Sequence, residues 1–173
     1  EGIIKTLLEQ DGYWVRQSFK VNLSKKEKRE IGKYSMPRPE IDLLALGQNE
    51  NSIVAIEAKS YLDSPGVRIE DLKESHQIPT GRYKLFTCKN YRNVVLARLK
   101  QDLIESGMAV ASTKITLGLV AGNIYRSRSV EMRKLFEEQS WFFWAPEDVR
   151  DRVNALAVCR ISTAFMLYSL HGK

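Results

Sequence analysis

Two apolar runs of strand length, Pro39-Glu40-Ile41-Asp42-Leu43-Leu44-Ala45-Leu46 and Ile53-Val54-Ala55-Ile56-Glu57-Ala58-Lys59, constrain this chain more than any other feature. The segment between them, Gly47-Gln48-Asn49-Glu50-Asn51-Ser52, is polar and rich in turn formers, so the runs read as the arms of a β-hairpin. Symmetric pairing about that loop sets Leu46 against Ile53, Asp42 against Glu57 and Glu40 against Lys59. Directly opposed residues share a face with Cβ atoms roughly 4.5–5.5 Å apart, and like charges so placed repel. Glu57 and Lys59, two apart on one strand, share that face as well. Two carboxylates and an ammonium thus gather at one end of an apolar hairpin, an arrangement that is costly unless a cation sits between the acids. The pattern points to a divalent-metal site.

At 173 residues the chain is long enough for one domain with a proper core, and 43% hydrophobic with 28% charged residues is ordinary for a globular protein. The net charge of +6, with pI ≈ 9.3, favours a polyanionic partner. Cys88 and Cys159 stand in no metal-ligand spacing, which fits buried thiols in a reduced, cytoplasmic protein. His76 and His171 are too few for a histidine-rich zinc site or an HxxxH protease helix, and neither a P-loop nor GxGxxG occurs. No signal peptide is visible, and the opening at Glu1 without Met is what a trimmed or excised chain would show. Val153 to Leu170, the most apolar stretch, carries Asn154, Arg160, Ser162 and Thr163 and falls short of a membrane span.

Along the chain, Ile3, Ile4, Leu7 and Leu8 recur at helical spacing over 2–11. On a helical wheel Glu1 falls at the flank of that apolar face, about 100° round, and Glu9 near 180° points to water, so Glu1 is the acid this helix can offer the hairpin. The alternative is that Glu1 simply favours the positive end of the helix. Tyr13 to Val21 alternates like a strand, and Ser24 to Lys33 is a charged connection, either solvated and mobile or a basic arm for phosphates. Ser64-Pro65-Gly66 and Pro79-Thr80-Gly81 are turns flanking a short helix within 69–77. Arg82, Lys84, Lys89, Arg92 and Arg98 interleave with Tyr83, Phe86 and Tyr91, as a nucleic-acid surface or a half-buried one would. Helices follow over 90–106 and about 128–139, with a buried strand at 114–122 between them and a short aromatic strand at 140–144 after them. Pro146-Glu147-Asp148 opens a further helix, and the apolar tail 153–170 reads as a helix for core packing or a homodimer contact. The order predicts an α/β fold, a central mixed sheet flanked by helices.

With Glu57-Ala58-Lys59 ending an apolar strand, Asp42 in Pro39-Glu40-Ile41-Asp42 upstream and Glu1 on a leading helix, the chain resembles the PD-(D/E)XK nuclease superfamily. The leading acid is similar to that of archaeal Holliday junction resolvases. The resemblance covers about residues 1–60, and the later αβ pattern is compatible with it. It departs from the pattern where Glu40 follows the proline in place of Asp, and Gln77 stands outside the glutamine-tyrosine motif of RecB-like members. It implies a restriction-endonuclease-like fold with its core at about 1–125, helices 126–173 completing it, and metal-dependent cleavage within DNA strands, usually by dimers. It further implies Mg²⁺, with Mn²⁺ able to substitute, held by Asp42, Glu57 and the Ala58 carbonyl. Lys59 then handles the attacking water, and Glu1 completes the shell through water or holds a second ion. Against this stand a noncatalytic nucleic-acid-binding or assembly module on a degenerate nuclease fold, and a plain interaction protein dimerising through 153–170.

Overall fold

The computed structural model describes residues 1–47, 51–60 and 65–170, with 159–170 described in backbone only. Helix α1 (Gly2–Gln10) leads into strand β1 (Tyr13–Lys20), short helix α2 (Lys25–Glu30) and the hairpin strands β2 (Glu40–Gly47) and β3 (Ser52–Lys59). Short helices α3 (Ile69–Lys73) and α4 (Lys84–Thr87) precede the long α5 (Lys89–Glu105). Strand β4 (Lys114–Ala121), helix α6 (Ser129–Glu138), strand β5 (Phe142–Trp144) and helix α7 (Pro146–Leu170) complete the chain.

The strands lie side by side in sequence order in one sheet. β1, β2 and β3 are antiparallel neighbours, whereas β4 runs parallel to β3 and β5 parallel to β4. The sheet is therefore mixed and flanked by helices, as the sequence predicts. Because strand side chains alternate, β3 splits its apolar residues between two layers. Val54 and Ile56 join Leu43 and Ala45 of β2 under Ile4, Leu7 and Leu8 of α1. Ile53 and Ala55 join Leu44 under Val95, Leu99 and Leu103 of α5. Burial on both faces explains why β3 and β4 read as near-continuous apolar runs.

The charged segment Ser24 to Lys33, read as a solvated connection or a basic arm, contains a short helix with no buried residue. Ser24 accepts from the Glu27 N–H while the Glu27 carboxylate accepts from the Ser24 N–H, a capping box that closes the first turn of α2. That hydrogen bonding holds Glu27 below the usual carboxylate range against a desolvation that opposes it. The Ser-x-x-Glu signal was present in the sequence and outweighs the charge density. The apolar tail, read as a helix, continues without a break the helix that begins at Pro146. The side chains that would form its dimer contact lie mostly outside the described residues, as do Cys159 and the Ser64 end of the first turn. No helix among the described residues is long and apolar enough to cross a membrane.

Candidate functional site

The hairpin register is the one read from sequence, with Leu46 opposite Ile53, and its ladder ends at Leu43–Ile56. One step further, the Asp42 carboxylate takes over and accepts the Ala58 N–H at 2.8 Å. On the other flank the β1–β2 ladder pairs Gln17 with Leu43 and Phe19 with Ile41 but steps over Ser18, whose φ of 52° is left-handed. For a residue other than glycine that conformation costs roughly 1–2 kcal/mol. Asp42 thus sits where both ladders open, which frees its carboxylate for side-chain chemistry.

Lys59 Nζ lies 2.6 Å from Glu57 Oε1 and 3.8 Å from Asp42 Oδ2. The three side chains are recessed, with Asp42 20% exposed, Glu57 15% and Lys59 22%. Glu40 is not their partner. It faces Lys20 across the β1–β2 ladder and pairs with it at 3.9 Å, a contact between exposed side chains that contributes little. Of the two upstream acids, Asp42 is the one that meets Lys59. Glu1 stands exposed at the start of α1, which packs on the face carrying Val54 and Ile56, whereas Glu57 and Lys59 alternate onto the face carrying Ile53 and Ala55. The structure brings Asp42, Glu57, Ala58 and Lys59 together, and among the described residues Glu1 joins no group of three acids that could hold a metal.

Burial raises the Glu57 carboxyl above its ordinary range; Lys59 opposes that shift and Asp42 adds to it. A carboxyl raised in the folded state stabilises the fold while protonated, and that contribution is lost as the pH rises through the raised value. At neutral pH the buried charge therefore lowers stability. We expect Glu57→Gln, which leaves Asp42 as a partner for Lys59, to raise the melting temperature at neutral pH in EDTA. The gain should vanish as the pH falls below the ordinary value of 4.5. Thermal melts across that range check it, and an unchanged or lower melting temperature at neutral pH contradicts it.

Glu57 and Lys59 open into a cleft of about 540 Å³ whose other charged walls are Arg38, Glu40, Arg82 and Lys84. Tyr91 forms part of the wall, and burial with Glu57 nearby pushes its phenol up, so it stays protonated and is no general base. The basic and aromatic cluster expected over 82–98 divides in two. Tyr83, Phe86 and Tyr91 are core residues, Arg92 donates to the Leu85 and Phe86 carbonyls, and Arg98 pairs with Asp102 at 2.8 Å. Of the cluster's cations, Arg82 and Lys84 line the cleft, joined by Arg38 from the loop before β2, a residue that carried no local signal.

The donor set fits a hard divalent cation. Asp42 and Glu57 supply carboxylate oxygens, and the Ala58 carbonyl, which in an extended strand points to the same neighbour as its N–H, is directed toward Asp42. Among the described residues no group of three or more His, Cys, Asp or Glu side chains converges on one point. A cation here would accordingly rest on two carboxylates, a carbonyl, and water or substrate oxygens, as Mg²⁺ commonly does. Compared with protein-family models, with curated proteins and with solved structures, the chain matches none.

Proposed function

We propose that this protein is a metal-dependent deoxyribonuclease of the PD-(D/E)XK kind, hydrolysing phosphodiester bonds within DNA. The observation that carries the reading is the convergence of Asp42 and Glu57 on Lys59, with Glu57 and Lys59 at the wall of a cleft that Arg38, Arg82 and Lys84 also line. The element order, a helix, three antiparallel strands, helices and a parallel strand, is compatible with the same reading. In it, Asp42, Glu57 and the Ala58 carbonyl would hold Mg²⁺ or Mn²⁺, which when bound would supply Lewis-acid activation of water and of the scissile phosphate. Lys59, released from Glu57, orients the attacking water and offsets the charge that builds on the phosphoryl oxygens. Arg38, Arg82 and Lys84 take the flanking phosphates, which positions the strand without reading its sequence.

A second reading has one observation in its favour. The 2.6 Å Lys59–Glu57 pair already neutralises the buried acid, as a noncatalytic nucleic-acid-binding module would arrange. The two differ in their response to metal. A nuclease gains thermal stability on adding Mg²⁺ or Mn²⁺, because a bound ion stabilises only the state that holds it. It also converts a supercoiled plasmid and a single-stranded DNA circle to nicked or linear products, and EDTA stops it. Salt-sensitive DNA binding with no metal-dependent melting shift and no cleavage of either substrate would establish the noncatalytic reading.

A further inference from the structure

The cleft does not end at the acids. A second concavity of about 480 Å³, lined by Lys33, Ser35, Met36, Pro79 and Thr80 among others, shares Pro37, Gly81 and Lys84 with the first. Together they form one groove between the loop that leads into β2 and the loop that leads into α4. Cations stand along its length, from Lys59, Arg38 and Arg82 at one end through Lys84 to Lys33 at the other. At that far end Tyr34, between two lining residues, is 78% exposed. An aromatic ring left so far in water gains nothing for the fold, whereas a cationic groove with an exposed aromatic is what holds an unpaired strand.

The recessed acids argue the same way. Glu57, only 15% exposed on the cleft wall, is reached by a flexible strand that bends inward. Resting on the nuclease reading above, we infer that the groove takes single-stranded DNA, its phosphates along Lys33, Lys84 and Arg38 and an unpaired base stacked on Tyr34. The strand is thereby drawn past Glu57 and Lys59.

The test is fluorescence anisotropy in EDTA with a short labelled oligothymidylate and a duplex of equal length. The wild type binds the single strand more tightly than the duplex. Tyr34→Ala weakens single-strand binding about tenfold and leaves duplex binding unchanged, and Tyr34→Trp restores it. Lys33→Ser reduces the slope of log affinity against log salt by about 0.7. Both positions are on a loop outside the core, and melting curves matching the wild type confirm intact folding. Equal affinity for the two substrates, or a Tyr34→Ala protein that binds like the wild type, overturns the inference. Binding is read without metal, so an inert protein that still prefers the single strand defeats only the nuclease reading. A protein that cuts but shows no such preference defeats only this one.

Discussion

Gly122→Ala is expected to lower the melting temperature by about 6–12 °C, corresponding to roughly 3 kcal/mol for a chain of this size. A Cβ at residue 122 would lie 2.2 Å from the Ser60 carbonyl oxygen and 3.1 Å from its carbon. These are backbone atoms, so no side chain can swing aside. The Gly122 N–H donates to the Lys59 carbonyl at 2.7 Å, which fixes β4 against the strand end that carries Glu57 and Lys59. Relief of the clash must part the strands there, so DNA cleavage falls along with stability. Gly2→Ala, where an added Cβ meets nothing within 4 Å, serves as the control and leaves both unchanged. A Gly122→Ala protein that melts with the wild type would mean that the close approach of the two strands has been misplaced.

Lys59→Ala is expected to cut the initial rate of plasmid nicking by at least about 10²–10³-fold, the usual effect of removing a charge aimed at the developing transition state. DNA binding should change far less, since Arg38, Arg82 and Lys84 remain along the cleft. The loss therefore falls on turnover. Asp42→Ala should be at least as severe, because it removes a carboxylate oxygen and orphans the Ala58 N–H at once. Lys59→Arg is not expected to rescue activity, because a planar guanidinium does not replace a compact ammonium in a recess this tight. Cleavage by Lys59→Ala within tenfold of the wild-type rate would remove this residue from the chemistry.

The hairpin was legible in the sequence because a side-chain period of two and a short polar loop leave one register that buries both arms. Asp42, Glu57 and Lys59 could be placed together from that register alone. What lay beyond it was set by distant chain. Glu40 pairs with Lys20 because β1, not β3, is its ladder partner, a fact that no local pattern carries. Glu1 occupies the flank of its helix, but which face of the sheet the helix covers depends on how the core closes over Ile4, Leu7 and Leu8. Arg38, Arg82 and Lys84 meet only because two loops separated by the hairpin and α3 come to line one cleft. Gly122 gave no sign of its tight packing, since the residue it would strike is set by the parallel pairing of β3 with β4.

Whether two carboxylates from neighbouring strands grip a hard cation is decided by anomalous scattering from crystals soaked in Mn²⁺. A strong peak is expected between the Asp42 and Glu57 carboxylates and the Ala58 carbonyl, with Lys59 Nζ moved off Glu57. Saturating Mn²⁺ that leaves no peak there, with Lys59 still seated on Glu57, would contradict it.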